Sequence, residues 1–125
     1  MATHKIAIVK GDGIGVDVVN EGMKVLDALA AKYGITWEYT EFPWSSDYYF
    51  QHGRMMPEDS LETLEAFNAV FLGAVGHPDI QDNITLDGLL LPIRRRFDQY
   101  ICLRPSVLFP GVESPLSGKK PYDID

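Results

Sequence analysis

The stretch Val9 to Val18, VKGDGIGVDV, sets three glycines around one aspartate between a strand-like run and a helix-like one. Upstream, KIAIVK (Lys5–Lys10) is short, apolar and rich in β-branched residues, the pattern of a buried parallel strand. Downstream, Val19, Met23, Leu26, Ala30 and Tyr33 recur at steps of four and three, which predicts one apolar stripe on a helix that Gly34 stops. TWEYTEF (Thr36–Phe42) alternates imperfectly and predicts a second strand. Strand, glycine turn, helix, strand is the opening of an α/β fold with a mostly parallel sheet.

The glycine spacing does not by itself identify a ligand. A dinucleotide fingerprint requires G-x-G-x-x-G, whereas Gly11, Gly13 and Gly15 are followed by Val16 where the third glycine would fall. No Gly-Lys-Ser/Thr follows, so a phosphate-binding Walker loop is excluded. By pattern alone, a tight strand-to-helix turn without ligand explains the glycines equally well.

Further along, SSDYYFQHG predicts a short helix capped by Ser45 or Ser46 and ended by Gly53. PEDSLETLEAF predicts another from Pro57, with Leu61, Leu64 and Phe67 on its inner face. AVFLGAVG reads as a buried strand running into a glycine loop, and LLLPIRRRFDQY as a helix beginning close to Pro92. ICLRPSVLFPG is extended and broken by Pro105 and Pro110, and a further strand could begin at Ile124. With three or four strands in all, the sheet is expected to be incomplete.

Composition narrows the function. The chain has 125 residues, 46% hydrophobic, enough for one modest core, and its net charge of -7 disfavours a nucleic-acid partner. No apolar run approaches the roughly 20 residues of a membrane span. One cysteine, Cys102, rules out an internal disulfide and fits a reducing, cytoplasmic setting. Cys102, beside a strand, is expected to be packed. His77, Asp79 and Asp82 read as a solvated loop, since no further ligand spacing accompanies them.

Three motifs taken together carry more. GDGIG after a first strand resembles the N-terminal signature of the β-decarboxylating dehydrogenases, the isocitrate, isopropylmalate, homoisocitrate, tartrate and D-malate enzymes. FLGAVGHP resembles their Leu-Gly-x-Val-Gly-x-Pro loop, and LLLPIRRRFDQYICLRPSVLFPG their arginine helix and Leu-Arg-Pro strand, in the same order and spacing. SSDYYFQHGRMMPED and LSGKKPYDID resemble the tartrate and D-malate branch more than the isopropylmalate branch. Two positions depart from the family pattern: Lys10 stands where proline is usual, and Asp87 where isopropylmalate enzymes carry glutamate near the nicotinamide ribose.

The resemblance implies an isopropylmalate dehydrogenase-like α/β fold with an incomplete, mostly parallel sheet flanked by helices. Residues 1–99 would form the N-terminal part of the first, cofactor-side domain, and residues 100–125 a crossing strand and the truncated start of a second. It implies oxidation of a malate-like 2-hydroxy acid such as tartrate or D-malate by hydride transfer to NAD. Loss of the β-carboxyl would follow, with Mn2+ or Mg2+ stabilising the enolate. Substrate binding falls on Arg94, Arg104 and Leu90, and cofactor binding on Ile14, Val75, Gly76 and Asp87. Paired arginines suit a diacid because each planar fork makes two charge-assisted hydrogen bonds to a carboxylate. Arg94, Arg95 and Arg96 point about 100° apart on a helix, so they cannot all reach one ligand; Arg95 and Arg96 keep a surface reading. Leu90 and Leu91 have core packing as an equal alternative.

The family's Tyr and Lys acid/base pair, its metal-binding aspartates and its adenosine-binding loops have no counterpart here. No residue of this chain is therefore assigned to catalysis or to metal, and the chain alone is expected to be inert. The resemblance also implies homodimeric full-length relatives. Alternatives are an isopropylmalate-type enzyme, a binding fragment that captures a dicarboxylate or nucleotide without chemistry, and an interaction fragment that pairs through its open sheet edge.

Overall fold

The computed structural model describes residues 3–123, so Ile124 lies outside the described residues. β1 (Thr3–Gly11) is the centre of a parallel three-stranded sheet, flanked by β2 (Thr36–Glu41) and β3 (Ala69–Ala74) in the order β2-β1-β3. Ile6 pairs with Tyr39 on one side and Ala69 on the other. Four successive β1 residues, Ile6 to Val9, are buried because both faces of the strand are covered. Ile6 and Ile8 meet Val19 and Met23 of α1 (Ile14–Tyr33), while Ala7 and Val9 meet Trp44, Met55, Leu64, Leu89 and Ile93 on the other face.

The helix α1 follows the predicted stripe as far as Ala30. Gly22 admits the Phe71 ring, where a Cβ would come within 2.6 Å. Trp37 Nε1 donates to the Leu26 carbonyl at 2.9 Å, and the Tyr39 hydroxyl to Asp27 at 3.0 Å, tying α1 to β2. Burial, and then Asp27, push the Tyr39 ionisation up to about 12. A raised folded-state value means that its contribution is fully present below pH 10 and is lost as pH climbs toward 12. Tyr33 departs from expectation: it is 63% exposed, and the Lys32 ammonium lies 5.4 Å from its ring centroid. Gly34 stops the helix in the left-handed conformation, φ 65°.

α2 (Ser46–His52) forms as predicted, with the Ser45 hydroxyl accepting from the Tyr48 amide and Gly53 ending it at φ 71°. The helix expected from Pro57 is shorter, α3 (Ser60–Leu64). The Pro57 carbonyl accepts from the Ser60 amide at 3.3 Å and its hydroxyl at 2.8 Å, the Asp59 carbonyl accepts from the Thr63 amide and hydroxyl at 2.9 Å each, and Phe67 reaches the core from the turn beyond.

The largest correction concerns Pro92. Helical structure begins ten residues earlier, as α4 (Asp82–Thr85), a π-turn (Leu86–Leu90) and α5 (Leu91–Arg96) in unbroken succession. Proline inside a helix lacks an N–H and crowds the carbonyl four residues back. Here the widened turn just before it, in which the Leu91 amide donates to Leu86 five residues back, relieves that crowding. From Tyr100 to Asp123 the chain forms neither helix nor strand and is largely exposed. No helix among the described residues is long and apolar enough to cross a membrane.

Two Gly→Ala substitutions separate space from backbone strain. A Cβ at Gly73 would sit 2.2 Å from the Lys10 carbonyl oxygen, whereas one at Gly34 meets nothing within 4 Å. Urea titration is expected to show Gly73→Ala losing at least ~3 kcal/mol and Gly34→Ala only about 1 kcal/mol. Equal losses would contradict the close approach.

Candidate substrate and cofactor crevice

The carboxyl ends of β1 and β3 meet at the glycine turn. Cβ atoms at Gly11 and Gly15 would lie 2.0 and 2.5 Å from backbone atoms of Ala74, so these two glycines serve contact between chain segments. Gly73 does the same from the β3 side. Gly13, at φ 50°, and Gly76 have no atom within 4 Å of where a Cβ would stand, and these two positions are open to a ligand.

Asp12 joins the segments. Its amide donates to the Ala74 carbonyl at 2.6 Å, and its carbonyl accepts from the Gly15 amide at 2.9 Å. Its carboxylate accepts from the Ser46 amide at 2.7 Å, the Ser46 hydroxyl at 2.6 Å and the Gly76 amide at 2.9 Å. One side chain thus holds the start of α2 and the loop after β3. Sequence reading passed over Asp12; the available signal was a lone carboxylate between two glycines that both adopt positive φ.

The expected cofactor-side residues gather unevenly. Ile14 opens α1 and is 70% exposed. Val75 packs against Gly11, and Gly76 is exposed beside Asp12. His77 stands edge-on to Phe50, centroids 5.1 Å apart, and its Nδ1 accepts from the Asp79 amide at 3.2 Å. Asp87 is exposed on the π-turn, away from this cluster in the hydrogen-bond pattern. Leu90 is half-buried on the same turn, whereas Leu89 is fully buried in the core. Among the described residues, no three His, Cys, Asp or Glu side chains come together as a metal site.

Arg104 and then Arg94 both bear on Cys102, their guanidinium groups holding its thiol below the ordinary range. Cys102 is exposed, contrary to the packed reading, because its segment joins no sheet. Arg94 also lines a cleft of about 260 Å³ with Leu91, Asp98 and Tyr100, a cleft that Arg104 and Leu90 do not line. Arg96 pairs with Glu65 and Arg95 is exposed, as surface residues. A second cleft, about 420 Å³, lies between α1 and α2 and includes Lys10, Glu41, Trp44 and Tyr48. There Lys10 is ion-paired with Glu41 at 2.8 Å.

A parallel sheet whose strands' carboxyl ends meet at a glycine turn is the frame of an α/β domain of the ligand-binding type. The chain belongs to the isocitrate/isopropylmalate dehydrogenase family, whose model matches residues 5–125. It is 51% identical, over its whole length, to the D-malate dehydrogenase [decarboxylating] of Escherichia coli (strain K12). It is 50% identical, over 98% of its length, to the tartrate dehydrogenase/decarboxylase of Pseudomonas putida. The chain spans about 35% of the first relative and 34% of the second. The crystal structure of a beta-decarboxylating dehydrogenase from Thermococcus kodakarensis, in its apo form, superposes with a TM-score of 0.59 at 28% identity. That match covers 78% of this chain and 27% of the other.

The convergence on Cys102 is testable by thiol chemistry. A depressed pKa raises the thiolate fraction near neutrality, so Cys102 should react with iodoacetamide faster at pH 7 than an ordinary thiol. Arg104→Ala removes the largest stabilising contribution and should slow alkylation severalfold, Arg94→Ala less so. Unchanged rates in both variants would place the guanidiniums away from the sulfur.

Proposed function

We propose that this chain is the N-terminal part of an NAD- and divalent-metal-dependent tartrate/D-malate dehydrogenase, which oxidises a malate-like 2-hydroxy acid and releases its β-carboxyl as carbon dioxide. The observation that carries the reading is about 50% identity to D-malate and tartrate dehydrogenases along nearly the whole chain. Residues 1–99 belong to the cofactor-side domain, and residues 100–125 cross to a second.

Arg94 and Arg104 take the carboxylates of the diacid. Their shared effect on the Cys102 thiol supports this, since both guanidiniums favour negative charge at the same atom. Leu90, half-buried on the π-turn, borders the substituent at C3. Ile14, Val75 and Gly76 border the nicotinamide half of the cofactor, whose ring accepts the hydride from C2 when bound. The open positions at Gly13 and Gly76 fit such a flat group, because no Cβ intrudes. Asp87 meets the nicotinamide ribose through a shorter side chain than glutamate offers.

Among the described residues, no cluster of His, Cys, Asp or Glu side chains fits the metal. The work assigned to this part of the enzyme is recognition and orientation of the diacid. A cytoplasmic, reducing setting agrees with the single exposed thiol.

Calorimetry of the 125-residue chain with D-malate and with tartrate tests the binding assignment. Both diacids are expected to bind, and Arg94→Ala and Arg104→Ala should each weaken binding at least tenfold, about 1.4 kcal/mol. Equal affinity in the variants would overturn the substrate assignment. With NAD and Mn2+ added, no NADH should form; metal-dependent turnover by this chain would contradict its inertness.

A further inference from the structure

We infer that Asp12 is a positioning residue for the cofactor crevice: by fixing the Gly76 amide it sets the separation between the α1 entrance and the loop after β3. The inference rests on the proposed cofactor reading for what occupies the crevice, and on geometry alone for how the crevice is held.

Ser46 is 1% exposed, so both its amide and its hydroxyl need partners inside the protein, and the Asp12 carboxylate serves both. Gly76 is the opposite case. It is exposed, has no side chain to pack, and its amide donates to Oδ2 of the same carboxylate. The amide therefore faces inward while the other face of Gly76 stays open to the crevice. A second contact, Phe50 against His77, joins α2 to the same loop one residue further on. α2 and the Gly76–His77 segment are thereby pinned as one body to the glycine turn.

The hydrogen-bond inventory makes Asp12→Asn selective. An asparagine oxygen in the place of Oδ1 still accepts from the Ser46 amide, and an NH2 in the place of Oδ2 donates to the Ser46 hydroxyl. Ser46 keeps a bond at its amide and one at its hydroxyl, which turns from donor to acceptor. The Gly76 amide alone meets a donor where it had an acceptor, and is released. Asp12 touches neither substrate nor cofactor in this account, and acts through Gly76.

Amide hydrogen exchange on the 15N-labelled 125-residue chain provides the test. In Asp12→Asn, Gly76 is expected to exchange at least tenfold faster, while Ser46 and the β1 and β2 amides keep their protection. Ser46→Ala should leave Gly76 protected. NAD titrated into the wild-type chain should shift the Ile14 and Gly76 resonances, with at least tenfold weaker affinity in Asp12→Asn; D-malate affinity, which depends on other elements, should stay within twofold. A folded Asp12→Asn chain with Gly76 as protected as in wild type, or with unchanged NAD affinity, would overturn the inference. If that variant does not fold, a scalar coupling across the hydrogen bond between the Gly76 nitrogen and the Asp12 carboxyl carbon decides in the wild type, and its absence overturns the inference. A wild-type chain that ignores NAD refutes the cofactor reading, while the Gly76 exchange rates still decide the positioning role.

Discussion

The backbone of the glycine turn lies directly against the end of β3, and the rest of the crevice follows from that contact. Any side chain at Gly11, Gly15 or Gly73 would collide with backbone atoms 2.0 to 2.5 Å away. Backbone cannot retreat as a flexible side chain can, so the three positions are closed to substitution for reasons of packing. With the turn seated so tightly, Asp12 has one direction in which to project, toward Ser46 and Gly76. The glycines that pack and the glycines that stay open therefore have separate tasks within one motif. Its G-x-G appearance reflects close chain contact at Gly11 and Gly15 and free space at Gly13.

Elements whose signals are local were legible in the chain. β1 carries its burial in consecutive apolar residues, α1 carries a long period and a left-handed stop at Gly34, and α2 carries a serine cap and Gly53. The start of the helix around Pro92 is not local: proline's cost at that position is offset by the widened turn before it. That turn is stabilised by tertiary contact: a Cβ at Gly88 would meet Met55 Cγ at 2.7 Å, and Leu89 is fully buried. The shortening of α3 is the reverse case, in which both ends tighten into turns whose amides donate three residues back, Ser60 to Pro57 before it and Ala66 to Thr63 after it.

The site divided along the same line. Residue types at motif positions could be read, and Arg94 on α5 and Arg104 on the irregular chain beyond it both bear on the Cys102 thiol. Partnerships could not be read. Nothing in the sequence ties Asp12 to residues 34 and 64 positions away, and nothing pairs Lys10 with Glu41 across neighbouring strands. These depend on strand register, which emerges only when the sheet assembles.

The electrostatics of the arginine pair bring a net charge of -7 and an anionic ligand into agreement. Charge averaged over a surface affects encounter and solubility, whereas recognition depends on the groups within a few ångströms of the ligand. Arg96 is neutralised by Glu65, so it adds little to the local field. Arg104 and Arg94 instead both act on the Cys102 thiol and hold it below its ordinary range, so their charge is felt outside an ion pair. Under the proposed reading, a dicarboxylate offers each planar fork two oxygens, which a single sulfur cannot.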